Sequence, residues 1–130
     1  MEQINLYFAW VWMLAGMLSG AVMGLFFYRS DWLGGFASWP RRMVRLGHIA
    51  FFGTGLLNLG FALSVGHMVR TAESDALLAA ASVLLIVGAV TMPAVCFGSA
   101  WRSSVRHLFF IPVLSLTGGV GALLLRGLSG

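Results

Sequence analysis

The chain contains few charged side chains. Only 9% of its 130 residues are Asp, Glu, Lys or Arg, whereas about a quarter of a soluble globular domain is charged. It is 59% hydrophobic, and its mean hydropathy is +0.91. This composition predicts an integral membrane protein. The net charge of +4 comes mainly from arginines that lie between apolar segments, so it indicates membrane topology and not nucleic-acid binding.

Several kinds of catalytic and redox site are also missing. The single cysteine, Cys96, excludes an intrachain disulfide and a CxxC motif. No GxSxG, HExxH or P-loop sequence occurs, which argues against a hydrolase or an ATPase. The apolar segments contain no Asp or Glu, although proton-coupled exporters and carboxylate relays need one in the membrane. The number of spans resembles that of the small multidrug exporters, but the membrane glutamate of that family has no counterpart here.

Four apolar segments predict an all-helical fold. They cover roughly residues 5–28, 43–67, 76–97 and 105–125, and each is long enough to cross a hydrocarbon core of about 30 Å. Backbone groups cannot stay without hydrogen bonds in lipid, which favours helices over strands. The links between segments are short and favour antiparallel neighbours. We therefore predict one domain, residues 1–130, that forms an antiparallel up-down bundle of four transmembrane helices.

The distribution of arginine predicts the orientation of this bundle. The first and third links carry six arginines, and the opposite side carries only Arg70 and Arg126. Links rich in arginine are expected in the cytoplasm. Both termini are then predicted on the non-cytoplasmic face of a bacterial inner membrane, with an uncleaved first span because its start has no basic residue. The six arginines are Arg29, Arg41, Arg42, Arg45, Arg102 and Arg106.

Glycines at helical spacing predict close helix crossings. Gly16, Gly20 and Gly24 form two overlapping GxxxG steps in the first span, and small residues at this spacing let a second helix approach. This face is expected either to pack inside the monomer or to mediate self-association or contact with another subunit. Further packing glycines are predicted on the second and fourth spans, at Gly55, Gly118 and Gly121.

Two histidines lie on these glycine faces and form the strongest candidate site. His48 shares a face with Gly55, and His107 shares a face with Gly118 and Gly121. Both lie near the predicted cytoplasmic end, so they are predicted at similar depth in the bundle interior. Two such imidazoles can ligate haem b from both sides, although each can instead hydrogen-bond within the protein. Three arginines are predicted to contact haem propionates or a lipid head group, namely Arg45, Arg102 and Arg106.

Two further pairs of residues are candidate sites. Thr54 and Asn58 lie one turn apart beside the face of His48, and they predict an interhelical hydrogen bond. The alternative is a polar lining for a pore or a quinone pocket. Met92 and Cys96 are also one turn apart and can bind a soft metal together with a histidine, but ordinary packing is the simpler interpretation.

These features predict a function in outline. The absence of a carboxylate in the spans and the packing-rich faces favour an accessory or structural subunit of a larger membrane complex, without independent catalytic activity. The first alternative is a b-type haem electron-transfer protein that uses His48 and His107. The second is a small-solute or ion channel, with Thr54 and Asn58 on its path. The expected partners are bilayer lipids and other membrane-protein subunits, and not nucleic acid.

Overall fold

The computed structural model describes residues 1–129, and they form an all-helical structure. Four helices are long and apolar enough to cross a membrane when the second 3-10 segment is counted with the helix that follows it. The all-helical class and the number of apolar helices are therefore confirmed, and they indicate a multi-pass membrane protein. The elements are α1 (Glu2–Gly24), a first 3-10 turn (Trp32–Gly34), α2 (Trp39–Val65), α3 (Ala72–Trp101), a second 3-10 segment (Ser103–Phe109) and α4 (Phe110–Ser129).

α2 and α3 begin before the predicted limits because their caps lie outside the apolar segments. The Ser38 hydroxyl caps α2 by accepting a hydrogen bond from the Arg41 N–H at 3.3 Å. At the start of α3, Thr71 and Ser74 form a capping box whose two bonds measure 3.2 and 2.8 Å. The hydropathy of a segment does not report such caps, so the helices extend into links that were predicted as polar breaks.

The helices pack in the order of the sequence. α2 packs along both α1 and α3, and α4 packs along α3. Over the described residues, neither α1 nor α2 makes an extensive contact with α4. In the most apolar part of each span, 44% of α3 is buried but only 11% of the fourth span. α2 and α3 are therefore the inner helices of a row, and α4 lies at one of its edges.

The main apolar core lies between α2 and α3, under one face of α4. Its members are almost completely shielded, with Leu78 and Ala81 at 0% exposure. Four side chains of α4 pack against this core from outside, and they are Leu116, Val120, Ala122 and Leu123. The buried residues are Phe61, Val65, Leu78, Ala81 and Leu85.

The glycine face of α1 packs inside the chain at two of its three positions. A methyl group added at Gly16, Gly20 or Gly55 would lie 2.6–2.9 Å from a side chain of the opposite helix. Gly24 meets nothing within 4 Å. The close approach of α1 and α2 therefore requires glycine at positions 16, 20 and 55, as expected for helices that associate through small residues.

The crossing of α3 and α4 uses a different glycine from those predicted. A Cβ on Gly119 would lie 2.8 Å from the Leu85 side chain, whereas Gly118 is exposed and Gly121 meets nothing within 4 Å. The prediction took its helical phase from His107, which lies in the second 3-10 segment. A 3-10 residue advances by about 120° and an α-helical residue by about 100°. The face of His107 is therefore not continued along α4.

Candidate functional site

Three helices meet at four buried polar side chains, which we call the asparagine cluster: Asn5, Thr54, Asn58 and Ser82. Asn5 and Asn58 are 0% exposed, and Asn5 Nδ2 donates to Asn58 Oδ1 at 2.7 Å. The Ser82 hydroxyl donates to Asn5 Oδ1. Asn58 Nδ2 donates to the carbonyls of Thr54 and Leu85 at 3.0 and 3.2 Å. The cluster therefore links α1, α2 and α3, and both amide groups have partners.

The remaining bonds of the cluster decide between its two interpretations. The Thr54 hydroxyl accepts from Trp12 Nε1 at 3.2 Å and donates to the Ala50 carbonyl at 2.6 Å. The polar atoms therefore form hydrogen bonds within the protein and do not line an open path. This arrangement favours interhelical hydrogen bonding over a channel lining. Sequence reasoning singled out Thr54 and Asn58 but missed Asn5 and Ser82. The signal that could have identified Asn5 is that it places an amide at the start of an apolar segment.

The imidazole of His48 packs against α1 at Ser19 and Gly20. Its Nδ1 is 3.0 Å from Ser19 Oγ, and that hydroxyl donates its proton to the Gly16 carbonyl at 2.8 Å. A Ser19 hydroxyl that donates to this carbonyl can only accept from His48, and that arrangement requires the tautomer with the proton on Nδ1. The ring meets Phe52 edge-on at 5.4 Å and would lie 2.6 Å from a Cβ on Gly20. His48 thus faces protein, as predicted, but its neighbour is α1.

His107 has different surroundings from His48. It is exposed on the second 3-10 segment and was predicted to face inward. Phe109 of that segment faces a groove on α2 at Ile49, while His48 points towards α1. The ring of His107 is exposed and the ring of His48 packs on α1, so this geometry gives no support to haem ligation by the pair.

The three arginines predicted at the haem site are all exposed. Arg106 Nη1 donates to the Ser103 carbonyl at 3.3 Å. The guanidinium groups of Arg45 and Arg102 make no hydrogen bond or ion pair with any residue in the described part of the chain. They are therefore available to external anions, as the lipid interpretation requires.

Arg41 was counted as a topological arginine, but the structure buries it to 1% exposure. Its guanidinium donates to the carbonyl of Arg29 at 2.7 Å and to that of Phe27. Three aromatic rings surround its Cζ, with Phe36 at 3.9 Å, Phe27 at 4.6 Å and Trp32 at 5.4 Å. We call this arrangement the arginine cage. It fastens the link between α1 and α2 onto the first turn of α2.

A cavity of about 640 Å³ lies beside the arginine cage. Its walls come from α1, the first 3-10 turn, α2 and α3, and they are almost wholly apolar. Trp32 belongs to both the cage and the cavity wall, and Trp101, which is 88% exposed, borders the cavity at the end of α3. The volume falls within the range of about 300–1,000 Å³ that is usual for small-molecule sites.

An ion-pair cluster ties the start of α1 to the link between α2 and α3. Arg70 donates to Asp75 at 2.8 Å and to Glu2 at 3.5 Å. The hydrogen bond to Asp75 raises the pKa of Arg70 above its ordinary value, so this guanidinium stays charged at any physiological pH. The pairs are exposed and are expected to add little stability.

Met92 and Cys96 line a groove of about 300 Å³ between α2 and the second 3-10 segment. Within residues 1–129, no group of three or more His, Cys, Asp or Glu side chains is placed to hold a metal ion.

Comparison of the chain with protein-family models, with curated proteins and with solved structures gave no match. Functional inference therefore depends on the geometry of this chain.

Proposed function

We propose that this chain is an accessory subunit of a larger complex in a bacterial inner membrane, without catalysis of its own. The observation that carries the proposal is the edge position of α4, which packs along α3 and leaves most of its apolar surface unburied. The asparagine cluster supports the same role, because the polar groups inside α1, α2 and α3 serve assembly. Helices in lipid associate by close packing and hydrogen bonds, and α4 offers a neighbouring subunit a surface for such packing.

The proposal includes an up-and-down topology across the membrane. Contacts between α1 and α2 run in opposite order along the two helices, since Asn5 meets Asn58 and Ser19 meets His48. The excess of arginine in the first and third links then favours a cytoplasmic location for those links. Both ends of this chain lie on the opposite face in the proposed arrangement.

The accessory role is tested by measuring the mass of the particle extracted from native membranes into nanodiscs. We expect a particle that contains a stoichiometric partner in addition to the 14.0 kDa chain. Leu114 and Leu125 are exposed and lie about three turns apart on one face of α4. Replacing both with tryptophan should remove the partner, whereas Leu18→Trp on the exposed face of α1 should retain it. A wild-type particle that holds this chain alone would contradict the proposal.

The haem alternative has a direct test in the visible spectrum of the purified protein. The exposed position of His107 leads us to expect no Soret band. A Soret band that disappears in both His48→Ala and His107→Ala would reinstate haem ligation by this pair. A band that survives both changes would place haem elsewhere.

A further inference from the structure

The cavity beside the arginine cage combines an apolar interior with basic surroundings. It lies at the end of the bundle where the first and third links meet, and six of the eight basic residues lie in or next to those links. Only one carboxylate, Asp31, lies in these links, and it already pairs with Arg29 at 3.5 Å. The surroundings of the cavity therefore have an uncompensated positive charge.

One of these six charges, the cation of Arg41, is buried. Among the described residues no carboxylate pairs with it, and its partners are carbonyl groups and aromatic rings. Charges inside a protein are screened less than charges in water. Because Trp32 is shared between cage and cavity, this fixed charge lies next to the cavity wall.

Arg102 is best placed in the sequence to bind an anion at the edge of the cavity. It directly follows Ala100 and Trp101, both of which line the cavity, and it terminates α3. Its guanidinium is exposed and has no partner among the described residues. Arginine offers planar paired donors that suit phosphate oxygens.

We propose that the cavity holds an acyl chain of an anionic phospholipid and that Arg102 binds the phosphate of the same lipid. The apolar walls accept the hydrocarbon, and the tryptophans at its edge match the position of such rings at a membrane interface. Anionic lipids are abundant in the cytoplasmic leaflet, where the arginine-rich links are proposed to lie. This lipid site rests on the proposed orientation of the links but not on the accessory role of the chain.

Native mass spectrometry of the purified chain tests the site. Phosphatidylglycerol and phosphatidylcholine with identical acyl chains are titrated in parallel. We expect one phosphatidylglycerol to bind preferentially, and Arg102→Ala should weaken its binding about fivefold while leaving phosphatidylcholine binding unchanged. Arg102→Lys should retain most of the preference. Ala100→Phe should reduce binding of both lipids by filling the cavity.

Arg106→Ala is the matched control, because Arg106 is exposed at the same end but bonds to the Ser103 carbonyl. It should leave the lipid preference intact. An equal loss in Arg106→Ala and Arg102→Ala would show general surface attraction and overturn the site. Equal binding of the two lipids, unchanged binding in Ala100→Phe, or co-purification of a quinone in place of phospholipid would overturn it as well.

A second measurement covers the case in which Ala100→Phe does not fold. Wild-type protein is placed in phosphatidylcholine bilayers that contain a small fraction of phosphatidylglycerol with brominated acyl chains. Bromine quenches nearby tryptophans, and Trp32 and Trp101 line the cavity. Quenching that saturates at a low fraction of brominated lipid is expected. Quenching that rises only in proportion to that fraction would overturn the proposal.

Discussion

Removing Asn58 should destabilise the packing of three helices at once. In Asn58→Ala, Asn5 Nδ2 loses its 2.7 Å bond and keeps only the Ser82 carbonyl at 3.5 Å. An interhelical hydrogen bond in a membrane is worth about 0.6 kcal/mol on average and up to about 1.7. A buried amide left without a good partner costs about 1–3 kcal/mol more. We therefore expect Asn58→Ala to lower the free energy of unfolding by about 2 kcal/mol.

A double-mutant cycle with Asn5 separates this bond from general loss of volume. The double variant Asn5→Ala/Asn58→Ala leaves neither amide without its partner. Its loss of unfolding free energy should therefore be about 1 kcal/mol smaller than the sum of the losses in the two single variants. Unfolding by denaturing detergent in mixed micelles, followed by circular dichroism, supplies the four free energies. Ser64→Ala is the control, because that exposed hydroxyl donates only to the Gly60 carbonyl of its own helix. Costs that add within about 0.5 kcal/mol would refute the bond between the two asparagines.

Three further predictions concern the α1–α2 crossing, the arginine cage and the topology. Gly20→Ala should lower the melting temperature in detergent, because its Cβ would lie 2.6 Å from an imidazole carbon of His48. Gly24→Ala is the control and should not lower it, because a Cβ at that position meets nothing within 4 Å. Equal melting temperatures for the two variants would contradict the close crossing of α1 and α2. Arg41→Gln should lower the free energy of unfolding by about 3 kcal/mol, because it removes the cation–π contacts and the charged hydrogen bonds of the arginine cage. Arg42→Gln, at an exposed position, should change it by no more than about 0.5 kcal/mol. Faster proteolysis of the link at residues 25–38 in Arg41→Gln would report that the link has come away from α2. Reporter fusions at Trp39 should be cytoplasmic and those at both chain ends external, and the reverse pattern would overturn the orientation.

The apolar helices were predictable because crossing the hydrocarbon core of a membrane requires the same length of apolar sequence from each of them. A span needs about 20 apolar residues regardless of its neighbours, so local hydropathy is sufficient. The ends of the helices depend on single hydroxyl groups such as Ser38 and Thr71. These caps lie in the polar links, where hydropathy carries no information, and α2 and α3 therefore start earlier than predicted.

The candidate sites were less predictable because they depend on pairs of distant residues. Asn58 stood out as an amide in an apolar run, but its partner Asn5 is 53 residues away, and no local pattern specifies that pairing. Arg41 resembles the other arginines in sequence, and only the folded link surrounds it with aromatic rings. His107 was placed by assuming an α-helical phase that the second 3-10 segment does not have.

The packing of helices in sequence order has a consequence for biogenesis. Most contacts join helices that are neighbours in the chain, and such low contact order favours rapid assembly. In the proposed topology each helix after α1 leaves the translocon with its sequence neighbour already in the bilayer, and only the asparagine cluster has to wait for Ser82 of α3. α4 enters last and has no docking surface until α3 is in place. A chain that stops before α4 retains the hydrogen bonds that join its first three helices, whereas misinsertion of α3 leaves α4 without the helix on which it packs.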